Sequence, residues 1–531
     1  MPKQPNILLL VNDHQAYYRH GWDGGVRPQT PHFDRIAQEG VRFERAYCAT
    51  PLCGPARRTL LTGLYPHNHH NFYNYSEAPY NHEIYLSRLA QAGYRNYYFG
   101  KWHAGPGTAH DFGCRGWSDT DYGNPYISTR YAEYLEEYEL ERAEHHVEFC
   151  FTNGFFARQF PQLKAGTRYQ SNYAWCGEHA VGLTTTPKET HEAFFLADLA
   201  GKALDECAAA PDDQPFHLRV DFWGPHQPHF PTQEFADLYD PAQITEYGSF
   251  RDTLENKPAV FHHDLNQPLV DEQNRFQIPS PLTWPQWQQI VARAYAHATL
   301  VDAAAGRILE RLDALGLAEN TVVIWTADHG DALASHGGRF DKGSYLTEEV
   351  VRVPLAMRYP GVAAPGQINK RLICSTDIAP TLLDLAGAAF ANQVDGRSFL
   401  PLVNGEQARA DFAPWRTDLM VETFGHGFGI FHMGRALITE QYKYVDNDAQ
   451  LHELYDLHAD PYQLQNLIHH PETESTLVEM RARLRQWQKL TDDAGVANPA
   501  YQQALVDEAA LLDALVRRRT AKAGLAAPTT G

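Results

Sequence analysis

The chain has 531 residues, 45 basic and 65 acidic side chains and a formal net charge of −20. That length exceeds one ordinary domain and suits a large α/β unit with a smaller partner. The acidic balance argues against nucleic acid and anionic membranes as partners, and the seven cysteines (48, 53, 114, 150, 176, 207 and 374) show no close-spaced metal pattern.

The run Pro5-Asn6-Ile7-Leu8-Leu9-Leu10-Val11-Asn12-Asp13-His14 reads as a buried strand stopped by a carboxylate. Ligands of open parallel sheets sit beyond the carboxyl ends of the strands, which is where Asp13 falls. Its apolar part is too short for a membrane span or a secretory core, so a cytoplasmic location is expected, in keeping with an odd number of free thiols. A helix is predicted over Pro31–Gly40. A second begins near Cys53, with Arg57 one turn further on, and its positive N-terminal end makes an anion site there. Asn74 lies in a loop, and Glu83–Gly93 forms the next helix.

Tyr98-Phe99-Gly100-Lys101-Trp102-His103 follows a strand-like stretch. Between Gly105 and Thr186 aromatic and polar residues lack a clear period, which predicts insertions at a pocket rim. Trp117, Tyr122, Tyr126 and Tyr131 are read there as packing, with a role as substrate walls the alternative. Helix Glu192–Ala209 precedes an apolar strand ending in Phe222-Trp223-Gly224-Pro225-His226-Gln227-Pro228. Residues 243–282 form a further loop-rich insertion. After a helix over Trp284–Gly316, the strand Thr321–Thr326 ends in Ala327-Asp328-His329, delivering a second carboxylate and an imidazole to the edge that holds Asp13.

Lys342 follows in a glycine-rich loop, and Ser375–Gly387 is a capped helix. The alternation predicts a large, mainly parallel sheet flanked by helices on both faces over residues 1–410. A smaller C-terminal α+β domain is expected over 411–495, with short antiparallel strands between 435 and 457 and a helix over Pro471–Leu490. Residues 496–531 form an extension whose amphipathic helix, Tyr501–Arg518, packs on its own chain or grips a second copy in a homo-oligomer.

Cys53-x-Pro55-x-Arg57, followed by Leu60-Leu61-Thr62-Gly63, resembles the modification site of the type I, formylglycine-dependent sulfatases of the alkaline phosphatase superfamily. Gly100-Lys101-Trp102-His103, Pro225-His226-Gln227-Pro228, the Lys342 loop and Leu454-Tyr455-Asp456-Leu457-His458-Ala459-Asp460-Pro461 extend the resemblance from residue 5 to about residue 490.

The resemblance implies that a formylglycine-generating enzyme oxidises Cys53. The hydrated aldehyde attacks with one hydroxyl and expels the bound sulfate through the other, where a serine would be trapped as a stable ester. It also implies a divalent cation, Ca2+ before Mn2+ or Mg2+, held by Asp13, Asp328, His329 and the modified Cys53. His14 stands where many members have Asp or Gln, and is either a fourth ligand or a neighbour of the ligands. Lys101 and Lys342 would contact the sulfate and His103 would take the proton of the second hydroxyl. His226 would assist the leaving group, and Arg57 would orient the diol or share the cation's negative shell. Asn74 falls where the related phosphonate monoester hydrolases have an anion-contacting Asn.

A transferring sulfuryl group spreads negative charge over its oxygens, so cations around it lower the barrier. The expected function is hydrolysis of sulfate monoesters of small molecules or saccharides. The alternatives are a phosphonate monoester or phosphodiester hydrolase of the same superfamily, and a non-catalytic binder of sulfated ligands that keeps the thiol.

Overall fold

The computed structural model describes residues 4–17, 25–150, 164–171, 180–210, 214–262, 282–404, 414–427 and 430–507. Strands β1 (Asn6–Asp13), β2 (Val41–Tyr47), β3 (Arg95–Lys101) and β4 (Arg115–Asp119) open the chain. β5 (Glu144–Cys150), β6 (Arg168–Gln170) and β7 (Ala180–Thr184) pair antiparallel in a separate three-stranded sheet. The large sheet is completed by β8 (Phe216–Pro225), β9 (Thr321–Ala327), β10 (Arg352–Val353), β11 (Leu355–Arg358) and β12 (Gln367–Cys374). Its order is β10-β2-β11-β9-β1-β8-β3-β4, with β12 pairing β2. The pairs around β1, β8 and β3 are parallel, whereas β10 and β11 run antiparallel to their neighbours.

β1 shows why both faces are covered. Ile7, Leu9 and Val11 enter one core, while Leu8 and Leu10 enter the other. β9 divides in the same way, with Val322 and Ile324 on one side and Val323 and Trp325 on the other. Period-2 alternation with apolar residues at every position requires two covered faces. Each such side chain contributes about 1.5–3 kcal/mol relative to exposure.

Helices α1 (Pro31–Glu39), α2 (Cys53–Thr62), α3 (Tyr85–Gln91), α4 (Glu192–Ala209), α5 (Trp284–Ala314), α6 (Ile378–Leu385) and α7 (Glu474–Leu490) provide the cover. α1, α4 and α5 line one face, and α2, α3 and α6 the other.

The C-terminal sheet is β13 (Asp418–Gly427), β14 (Ile430–Thr439), β15 (Tyr442–Asp446) and β16 (Glu453–Asp456), antiparallel in chain order. Leu419, Val421 and Leu437 of this sheet share one core with Ile7 and Leu60. β13 and the first part of β14 were not anticipated, and neither was the β5–β7 sheet. Tyr501 packs on Phe72 and Phe424 of its own chain, in a helix over 499–507; the rest of the expected C-terminal helix, 508–518, lies outside the described residues, as does Cys176.

Candidate active site

Four adjacent strands deliver the site. β1 ends at Asp13, β3 at Lys101, β8 just before His226, and β9 just before Asp328 and His329. Their order β9-β1-β8-β3 puts these carboxyl ends on one edge. α2 brings Cys53 and Arg57 to the same place, and all ten of its residues are buried. Its N-cap, Leu52, makes no side-chain bond. The Gly54 N–H instead donates to Asn74 Oδ1 at 2.9 Å, so a loop side chain finishes the helix from outside.

Arg57 ties the edge together. Its Nε donates to Asp328 Oδ2 at 3.0 Å, and its Nη1 to Asp221 Oδ2 at 2.8 Å and to the Lys101 carbonyl at 3.0 Å. Its Nη2 stands 3.7 Å from Asp13 Oδ1, and the Lys101 ammonium is bonded to the other Asp13 oxygen. Asp221 in turn receives two bonds from Arg219, at 2.6 and 2.8 Å.

Ligand-type atoms of Asp13, Cys53, Asp328 and His329 lie within 4.8 Å of one another, all buried. His329 Nδ1 bonds the Gly330 carbonyl at 2.9 Å, which places its proton there and leaves a lone pair on Nε2, 3.0 Å from Cys53 Sγ. Asp13 Oδ1 has no hydrogen-bond partner. Two buried carboxylates, an oriented imidazole and an orphaned oxygen form a donor set that fits a divalent cation.

The electrostatics follow from burial. Burial would raise the Asp13 carboxyl, but Lys101 and Arg57 overcome it and hold the group well below the usual carboxylate range. Asp328 goes the other way, pushed up to about 7 by burial and by the Asp13 charge. Two carboxylates at one site thus divide into an ionised and a proton-holding member until further positive charge arrives. Burial also raises the Cys53 thiol against the pull of Lys101 and Lys342. His103 and His226 are held neutral by burial, then by Lys101 and Lys342 respectively. Neither ring nitrogen of His103 has a hydrogen-bond partner.

His14 falls in a second group beside the first. Its ring clusters with His226 and Asp341, with Nε2 3.2 Å from Asp341 Oδ1, while its backbone N–H donates to Asp328 at 2.9 Å. His14 has a left-handed backbone (φ 63°), a conformation that His103 (φ 48°) and Asp341 (φ 71°) share. Such residues cost about 1–3 kcal/mol each and collect where function over-determines the backbone. Lys342 Nζ is held by Asp341 at 2.9 Å.

A sulfatase family model matches residues 5–388. The chain belongs to the sulfatase family. It is accordingly a sulfuric ester hydrolase. A model for the C-terminal part of N-sulphoglucosamine sulphohydrolase matches residues 335–490. This sulfatase is 27% identical to an ulvan-active sulfatase of Formosa agariphila, over 91% of this chain and 81% of that protein. It is 26% identical to an N-acetylglucosamine-6-O-sulfatase of Bacteroides thetaiotaomicron, over 92% and 87%. Among solved structures, a protein in complex with its substrate D-glucosamine-2-N,6-O-disulfate superposes with a TM-score of 0.69 at 22% identity, covering 94% of this chain and 100% of the other. A phosphonate monoester hydrolase of Agrobacterium radiobacter gives 0.72 at 21% identity, covering 92% and 96%.

Two residues of this sulfatase's site, Asp221 and Asp341, escaped sequence reading. Asp221 anchors Arg57; its signal was the pair Arg219 and Asp221 inside an otherwise apolar strand. Asp341 gathers Lys342 and His14, and adjoins Lys342 in sequence. Tyr122 was read as packing with a role as substrate wall the alternative, and its ring lies 4.0 Å from Lys101 Nζ and 5.6 Å from both the His103 and His226 rings. Tyr126 and Tyr131 do pack in the core, and Trp117 meets Phe195 edge-on and Trp223 at a tilt.

Proposed function

We propose that this sulfatase cleaves sulfate monoesters of saccharides through a formylglycine at Cys53, with Ca2+ as the cation at Asp13, Asp328 and His329. The observation that carries the reading is that the Cys53 thiol and the neutral His103 and His226 all feel the same two ammonium charges, of Lys101 and Lys342, at one sheet edge. The ulvan and N-acetylglucosamine sulfatases among the relatives support a saccharide alcohol. The oxygen-rich donor set supports calcium ahead of manganese or magnesium, with His329 the one softer ligand.

Once modified, residue 53 would supply a geminal-diol nucleophile in place of a buried, protonated thiol. The cation, when bound, would polarise a sulfate oxygen and offset the charge gathering on it. The protein's own groups do the rest. Lys101 and Lys342 place two ammonium charges around the sulfuryl group. His103, neutral and unpartnered, is free to take a proton at a ring nitrogen. His226 is oriented by the bond its Nδ1–H donates to the Gln227 carbonyl at 2.6 Å, so Nε2 holds a lone pair in the neutral ring. Nε2 must first take up a proton, as the negative charge of a bound sulfate favours, before it can serve the bridging oxygen. Arg57 holds Asp13 and Asp328 in place, and Asn74 acts on the helix bearing Cys53 through Gly54.

A matched panel of a sulfate monoester and the phosphonate monoester of the same alcohol tests the reading. Charge alone admits both, because each carries one negative charge on the transferred group. The pair Lys101 and His103 favours the sulfate, and its kcat/KM is expected to be higher. A tenfold advantage for the phosphonate, or about 1.4 kcal/mol of transition-state binding, would make the chain a phosphonate hydrolase in practice.

A further inference from the structure

Behind the strand end that carries His226 lies a small hollow that the catalytic groups do not use. It shares His226 and Tyr122 with the active site and is closed by His191 and Glu192 at the start of α4, Gln227, Ser171, and His297 from the middle of α5. All five closing residues are at most 4% exposed. Their hydrogen bonds are incomplete: Glu192 Oε2, Gln227 Oε1, Ser171 Oγ and both ring nitrogens of His297 have no partner. Buried polar atoms are rarely left in this state, and five in one hollow call for a ligand.

Two ligands suggest themselves, and the geometry separates them. His191, Glu192 and His297 bring ligand-type atoms within 4.8 Å of one another, as a metal site would. His191, however, accepts the Ala193 N–H on Nδ1 at 3.2 Å as the N-cap of α4, so its proton sits on Nε2 and no lone pair remains there for a cation. The hollow therefore offers the N–H of the His191 ring beside the Glu192 carboxyl, which burial pushes up to about 8, and the Gln227 amide oxygen. An ammonium group could use the acceptors and would leave the donor facing a positive charge. A hydroxyl can accept from His191 and donate to Glu192 or Gln227. The space of about 40 Å3 admits a group of hydroxyl size, since about 10–15 Å3 of such volume is the least that holds a water molecule.

The geometry points to a specificity subsite in which His191, Glu192, Gln227 and His297 bind a hydroxyl of the alcohol half of the substrate, beside His226. Resting on the sulfatase reading above, it makes the enzyme selective for sulfate esters of polyhydroxylated alcohols. A site built to bond a buried hydroxyl discriminates strongly against an analogue lacking it, because the analogue leaves the site's own groups unpaired.

The test is a ratio: kcat/KM for a monosaccharide 6-sulfate over kcat/KM for cyclohexylmethyl sulfate, which keeps the ring and lacks the hydroxyls. The modified, metal-loaded wild-type enzyme is expected to favour the sugar by at least about 100-fold. Glu192→Gln and, independently, His297→Leu should each lower that ratio at least tenfold, and losses from misfolding cancel in it. A ratio unchanged in both variants overturns the subsite. So does a preference for an amino-alcohol sulfate over the sugar, or a bound zinc equivalent that both variants lose. Failure of the wild type to cleave either ester would instead overturn the sulfatase reading and is distinct from these outcomes.

Discussion

Two buried ionic clusters in the molecule are finished differently. Where α7 and the C-terminal sheet meet the turn at His67, the His67 ring bonds Glu422 at 2.8 Å and the Thr491 carbonyl at 3.0 Å. Arg435 adds two bonds to Asp493 and a contact with Glu422 at 3.2 Å. None of these side chains leaves a buried polar atom unpartnered. At the sheet edge, Asp13 Oδ1, Arg57 Nη2 and both His103 nitrogens are orphaned. A closed network fastens the fold, whereas an open one in a low dielectric stays costly until a ligand completes it. Damage at the edge should therefore cost turnover, and damage at His67 should cost stability.

The largest expected effect is at residue 53. Cys53→Ala should reduce kcat/KM by at least about 10^3-fold, since the nucleophile is gone, with little change in Tm. Mass spectrometry of the peptide containing Cys53 should show the aldehyde in active enzyme; active protein carrying only thiol would break the mechanism.

Asp328→Asn should abolish cation binding, read by elemental analysis, and lower activity by about 10^2–10^4-fold. The comparison adds a second readout. Burial and the Asp13 charge push Asp328 towards its neutral form, which offsets part of what Asn loses by setting its NH2 against the Arg57, His14 or His329 donors that both carboxyl oxygens accept. The Tm of the metal-stripped protein should therefore fall only slightly. A fall of several degrees would show that the edge, too, is a fastening. His103→Ala should lower kcat by about 10^2–10^4-fold while sparing a burst of alcohol equal to the enzyme concentration, measured by rapid quench.

Much of this edge is legible in the chain because parallel strands impose it. Asp13, Lys101, His226 and Asp328 each follow an apolar run, and adjacent parallel strands end together. Three things were not legible. The grouping of His14 with His226 and Asp341 depends on segments more than 100 residues apart in the chain meeting in the fold. Asp221 points from a strand whose pattern reads as uniformly buried, and only its bonds to Arg57 and Arg219 show why a carboxylate is tolerated there. β13 was missed because Leu419, Met420 and Val421 form a short continuous run, all three fully buried, and such a run carries no period. The His191, Glu192 and His297 hollow joins two helices about 100 residues apart in the chain, a distance that only packing of α4 on α5 resolves.

The smallest effect is expected at His67 and is confined to stability. Burial would lower its pKa, but Glu422 raises it to about 9. A group with a raised folded-state pKa stabilises fully below its unfolded value, about 6.5, and that contribution disappears as pH rises through about 9. The gap of about 2.5 units corresponds to about 3 kcal/mol at most. His67→Gln keeps hydrogen-bonding atoms and loses the charge. Its Tm deficit against wild type should be greatest near pH 6, shrink from pH 6.5 upward and be nearly gone by about pH 9.5, with kcat/KM unchanged throughout. A deficit that stays constant with pH would mean that shape, and not the imidazolium, fastens the C-terminal sheet. A deficit accompanied by loss of turnover would mean that the two clusters are coupled through the turn leading from His67 to Asn74, and that the division between fastening and site does not hold.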